Sequence, residues 1–269
     1  MDLDWVHGDP VELRAAYAAE RAALVKDAPD DVRVAVLERE ALSGLTFTPK
    51  EGGRGTPILY FHGGSWMLGS PQTHYTLPAW LARETGRVVY SVRYPLAPEH
   101  PAPAQRLAAK AALRAMAEFA DSIFVAGDSA GGAMALWAAG GATSHVAGVA
   151  CFYPAYGLTQ STSIDDHGAG NPALNALAIA KMYERLGQTG AELQDSSSKA
   201  GAPLLILAAG KDPLRDDCEK LASDMAARDV TLWEANDAPH AFLHDAGTVL
   251  EARRWLHRTA EWMASLDPP

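Results

Sequence analysis

The sequence predicts an α/β fold: a mostly parallel sheet covered on both faces by helices. Three observations carry that reading. Short apolar runs at Ile58–Phe61, Val88–Val92, Ile123–Ala126, Val146–Phe152 and Leu204–Leu207 alternate with longer segments of helical spacing. Gly, Pro or polar residues bound each run, as expected of strands buried on both faces. The 269 residues are 48% hydrophobic and 21% charged, enough to bury a sizeable core.

In chain order, residues 11–26 read as an Ala-rich amphipathic helix ahead of the sheet. The stretch 34–48 reads as a leading antiparallel hairpin. Helices are expected at 72–85, 103–120, 130–139, 214–228 and 247–265, with Thr231–Trp233 as the last strand. Residues 157–199 break the alternation with a polar loop, a helix starting near Asn171-Pro172 and a Ser-rich return at Ser196–Ser198. A proline just inside a helix start forfeits no hydrogen bond. The expected division is a core of 30–156 and 200–269, with 1–29 and 157–199 as cap segments over the carboxyl edge of the sheet.

Lys and Arg total 23 against 33 Asp and Glu, a formal charge of -10. That balance opposes nucleic acid and anionic membranes, which need a positive field. No apolar run approaches the roughly 18 residues of a membrane span. The acidic start, Met1–His7, lacks the basic and apolar regions of a signal peptide. Cys151 and Cys218 lie far apart in apolar segments and read as buried thiols of a reducing compartment, so the cytoplasm is the expected location. The oligomeric state is left open, a homodimer included.

The strongest chemical signal is Gly127-Asp-Ser-Ala-Gly131, which follows one apolar run and precedes a helical one. G-x-S-x-G in strand–turn–helix context is a nucleophile elbow: the glycines permit a sharp turn and expose the Ser129 hydroxyl. Serine needs a base, and the base an orienting acid, in the chain order Ser, Asp or Glu, His. His7, His62, His74 and His100 precede Ser129; His145 leads into a strand, His167 precedes any plausible acid, and His257 lies in the last helix. His240, in a turn after the last strand, is the expected base. His244 is left as a solvated side chain or one supporting the site from behind. Asp212, just beyond the run 204–207, is the expected acid, while Asp216 and Asp217 fit the first turn of the next helix. The spacing of His240 and His244 suggests metal ligation, but no carboxylate accompanies them at zincin spacing, so no metal site is expected. His62-Gly-Gly-Ser-Trp66 follows a strand directly, and such a turn can aim amides at an oxyanion. The expected donors are the amides of Gly63, Gly64 and Ala130. Trp66 and Asp128 are candidate substrate contacts, with packing and bracing of the elbow as their plainer roles.

These residues resemble the bacterial hormone-sensitive-lipase-like carboxylesterases. The blocks are His62–Trp66, Tyr94-Pro-Leu-Ala-Pro-Glu-His-Pro101, Gly127–Gly132, Asp212-Pro-Leu-Arg-Asp216 and Pro239-His-Ala-Phe242, in family order over residues 55 to 265. The resemblance implies an α/β-hydrolase fold, a helical cap, a Ser-Asp-His triad and hydrolysis of short-chain esters without a cofactor. It makes Tyr94–Pro101 structural, with Glu99 and His100 bonding around the active-site loops. Ser65 and Ala241 stand where the family usually has glycine. An arylformamidase shares the His-Gly-Gly-x-Trp block and stays the alternative, although the Tyr94 block and the Gly-Asp-Ser elbow favour the esterases. A non-catalytic receptor is disfavoured by the intact set of nucleophile, base and acid.

Overall fold

The computed structural model describes residues 3–140, 145–196 and 201–267. Among them, the apolar runs become strands of one sheet: β1 (Val32–Leu37), β2 (Gly44–Pro49), β3 (Ile58–Phe61), β4 (Val89–Val92), β5 (Ile123–Asp128), β6 (Val146–Phe152), β7 (Leu204–Lys211) and β8 (Val230–Pro239). Their order is β1-β2-β4-β3-β5-β6-β7-β8. The leading hairpin pairs antiparallel with itself and with β4; every other pairing is parallel.

The continuous apolar character of β3 and β5 follows from burial on both faces. Leu59 and Phe61 enter a core shared with helices α3 (Ala102–Ala117) and α4 (Ala130–Ala139). Ile58 and Tyr60, one residue out of phase, enter a second core with α2 (Thr76–Thr85) and α9 (Leu250–Ser265). The remaining helices are α1 (Pro10–Ala22), α5 (Thr162–His167), α6 (Ala176–Leu186), α7 (Gly190–Ser196) and α8 (Arg215–Asp224).

The segment 157–199 departs from the sequence expectation. No helix starts at Asn171-Pro172; the Asn171 side chain accepts from the amides of Ala173 and Leu174 and closes a turn instead. The helix α6 begins at Ala176 because Asn175 caps it, accepting from the Ala178 amide at 2.9 Å. The rest of the expected Ser-rich return, Ser197 and Ser198, lies outside the described residues. Helix α1 is shorter than expected and continues as a 3-10 turn at Val25–Asp27. It is clamped to the segments that follow β3 and β4: Arg14 donates to the carbonyls of Met67 and Ala97 and pairs with Glu99 at 2.6 Å. Glu99 therefore secures the amino-terminal helix rather than a loop of the site.

Candidate active site

Strand β5 ends at Asp128 and α4 begins at Ala130, leaving Ser129 alone at the corner with φ 54° and ψ −121°. A non-glycine residue there is strained, and the surroundings must hold it. They do so by close approach. A Cβ on Gly127 would lie 2.1 Å from the Gly131 carbonyl oxygen, and one on Gly131 would lie 2.1 Å from the Phe61 oxygen. Only glycine lets the elbow press against β3 this tightly.

His240 follows β8 and reaches back over the sheet edge. Its Nε2 lies 3.1 Å from Ser129 Oγ and its Nδ1 2.6 Å from Asp212 Oδ2. Asp212 is fully buried, and its other oxygen accepts from the Leu214 amide at 2.8 Å. A carboxylate can only accept, so Nδ1 carries the proton and Nε2 is free to take one from Ser129. Burial opposes a charged His240, but the charge of Asp212 and its hydrogen bond outweigh that, and the pKa is raised above the ordinary histidine value.

Asp128, beside the nucleophile, is buried and faces inward. Its Oδ1 accepts from the Tyr60 hydroxyl and from the Gly63 amide at 3.0 Å; Oδ2 lies 3.1 Å from His244 Nε2. Burial would raise its pKa, yet the His74 and His244 imidazoles and the Tyr60 hydroxyl hold it well below the carboxylate range. The Gly63 bond corrects one expectation. An amide already given to a carboxylate is not free for an oxyanion, so Gly63 anchors the turn. Gly64 and Ser65, the next two residues, line the cavity with Ser129. Their amides have no acceptor among the described residues. Gly64, Ser65 and Trp66 all have positive φ.

The cavity beside Ser129 is about 200 Å³, floored by His74, Asp128 and His244 and walled by Trp5, Tyr17 and Arg21. A larger groove of about 700 Å³ lies between β8 and α9 and contains neither Ser129 nor Asp212. Trp66, a candidate substrate contact, does not line the cavity. Its ring is fully buried, 6.2 Å from that of Trp137 and 5.8 Å from that of Tyr183. His244 is not solvated either; the 3-10 turn Phe242–Asp245 carries it inward to Asp128, 3% exposed. His74 was missed by sequence reasoning because it precedes the elbow, where chain order gives a base no role. Ala241 and Ser65, where the resembling family has glycine, sit at φ 64° and 55°. Asp217 is buried and accepts from the amides of Tyr156 and Leu158, while Asp216 binds Ser163 and Arg215.

A family model described as the alpha/beta hydrolase fold matches residues 58–244. The sheet, the elbow and that matched span define an α/β hydrolase. The chain is 33% identical over 224 residues to esterase LipI of Mycobacterium tuberculosis, covering 75% of this chain and 70% of that protein. It is 32% identical over 216 residues to an acetyl-hydrolase of Streptomyces hygroscopicus, covering 74% and 72%. An esterase structure from Pyrobaculum calidifontis superposes with a TM-score of 0.82 at 29% identity over 97% of this chain and 94% of that one. An esterase from the bacterial hormone-sensitive lipase family superposes with a TM-score of 0.83 at 25% identity, over 97% and 92%. The chain belongs to the bacterial hormone-sensitive-lipase-like carboxylic ester hydrolases. Among the described residues, no helix is long and apolar enough to cross a membrane.

Proposed function

We propose that the chain hydrolyses short-chain carboxylic esters through an acyl-enzyme on Ser129. His240 takes the serine proton as the hydroxyl attacks the carbonyl carbon, and returns it to the leaving alkoxide. Asp212 holds the imidazole in the accepting tautomer and stabilises the imidazolium. Water then attacks the acyl-enzyme with His240 again as base. The amides of Gly64, Ser65 and Ala130 receive the oxyanion; Ala130, as the first residue of α4, has no intrahelical acceptor for its N–H. The observation supporting this reading is the unbroken line from Ser129 Oγ through His240, 3.1 Å and 2.6 Å, to a buried carboxylate. Segments 1–29 and 157–199 act as a cap, since Trp5, Tyr17 and Arg21 from one and Asn171 and Leu174 from the other close over the nucleophile. The cavity of about 200 Å³ limits the acyl group to a few carbons. The relatives' names, an esterase and an acetyl-hydrolase, give the arylformamidase alternative no support. Ser129→Ala should stay folded and lose about three or more orders of magnitude of kcat on p-nitrophenyl acetate, because binding and the oxyanion hole alone retain little rate. A folded variant of near-normal activity refutes the assignment.

A further inference from the structure

We propose that His74 Nε2, Asp128 Oδ2 and His244 Nε2 form a binding site for one divalent transition-metal ion of the zinc class in the floor of the Ser129 cavity. The three ligand atoms lie within 4.8 Å of one another. His74 Nε2 is 3.8 Å and His244 Nε2 3.1 Å from Asp128 Oδ2. A point inside that triangle comes close to the bond lengths of about 2.0–2.2 Å that zinc makes to imidazole and carboxylate.

The hydrogen bonds around the three side chains point the same way. Thr73 Oγ1 lies 3.0 Å from both the Ser70 carbonyl oxygen and His74 Nδ1, so it engages Nδ1 and leaves Nε2 turned toward Asp128. His74 Nε2 and Asp128 Oδ2 face each other across a buried gap of 3.8 Å, too long for a hydrogen bond and wide enough for an ion to lie between them. Asp128 is prepared for the role, since Tyr60 and Gly63 hold Oδ1 and leave Oδ2 to the imidazoles. Binding through His244 Nε2 leaves that ring's single proton on Nδ1, which has no other hydrogen-bond partner among the described residues, so a neutral imidazole takes the ion without net proton release. All three residues line the cavity, which leaves a fourth position open toward it. The Arg21 guanidinium in the same cavity opposes cations in general. The two imidazole ligands supply the binding that offsets this repulsion, which favours ions of the zinc class over magnesium or calcium.

The test uses chelator-stripped full-length protein titrated with Co²⁺, read by its visible ligand-field bands, then with Zn²⁺ in competition. One Co²⁺ per chain is expected, displaced by Zn²⁺. His74→Gln and His244→Gln should each weaken uptake at least about tenfold through loss of one of three ligands, whereas His240→Gln should retain it. Circular dichroism verifies that each variant is folded. If a buried-histidine variant does not fold, an anomalous difference peak between the three side chains in Zn²⁺-soaked wild-type crystals decides. Absence of uptake by the wild type overturns the proposal. So does uptake lost in His240→Gln and kept in both other variants, which places the ion on the catalytic histidine. The readout is metal uptake, so it stands or falls separately from ester hydrolysis.

Discussion

Replacing Asp212 with Asn leaves the shape of the site and inverts its proton logic. The Asn carbonyl can keep the Leu214 amide at 2.8 Å, so its NH₂ lands where Oδ2 stood, 2.6 Å from His240 Nδ1. An N–H there donates, and Nδ1 must accept. The ring proton moves to Nε2, which now presents an N–H to Ser129 Oγ and cannot take the serine proton. Losing the accepting tautomer costs about 10⁴ in kcat in triads of this kind. At 1.36 kcal/mol per decade that is about 5.4 kcal/mol of transition-state stabilisation. A second effect has a definite sign. In the wild type the neutral imidazole is the active form, so activity falls as pH drops through a His240 pKa raised by Asp212. Asp212→Asn removes the charge that raises it and leaves burial, which lowers it. The acid limb of kcat/KM should move to lower pH while the plateau collapses. Release of p-nitrophenol from the acetate ester, followed across the acid and neutral range, measures both. A plateau within tenfold of wild type, or a limb displaced upward, refutes the reasoning.

Four further outcomes follow from the same contacts. His240→Ala should match Ser129→Ala in its loss of activity, whereas His244→Ala should cost much less, because His244 touches Asp128 and not the nucleophile; an equal loss in a folded His244→Ala assigns the base wrongly. Gly131→Ala should yield little folded protein, since its Cβ would meet the Phe61 and His62 carbonyl oxygens at 2.1 and 2.7 Å; normal expression and melting contradict this. Ala241→Gly should raise stability by up to about 1 kcal/mol by relieving a left-handed alanine, partly offset by unfolded-chain entropy, and a thermal melt reads the sign. Wild-type activity should peak at acetyl to butyryl esters; Trp66→Ala should cost about 3–5 kcal/mol of stability, as large-to-small changes in cores do, and leave that profile unchanged. A shift of the optimum toward longer chains would make Trp66 a pocket wall.

The sheet and the Ser129, Asp212 and His240 positions were legible in the sequence because each is tied to local pattern. Apolar runs report burial, and the elbow and the following acid and base keep their order along the chain. What was not legible depends on side chains meeting across the fold. Nothing in His62–Trp66 says which glycine amide Asp128 claims, since that is decided by the register between β3 and β5. One residue of register separates an anchor from an oxyanion donor. His244 stayed between solvent and a supporting place behind the site because a turn signal gives no direction; the 3-10 geometry turns it inward to Asp128. Trp66 sits beside the glycine turn in sequence, but its indole lies in the core with Trp137 and Tyr183. In the segment 157–199, proline suggested a helix start that asparagine caps placed later.

The clamping of the amino-terminal segment bears on how the enzyme can be handled. Arg185 grips the carbonyls of Val6 and Gly8, Arg21 that of Thr73, and Trp5 stands at the wall of the cavity. An affinity tag or fusion partner attached just ahead of Trp5 would crowd the cavity beside Ser129. Trimming the segment would open the cavity to bulk water. Helix α9 belongs to the core on the other face of the sheet from α1, so the carboxyl end is the better point of attachment for immobilisation. Surface-bound enzyme held there should keep its solution kcat/KM, whereas enzyme held by the amino end should lose turnover on bulky alcohols first.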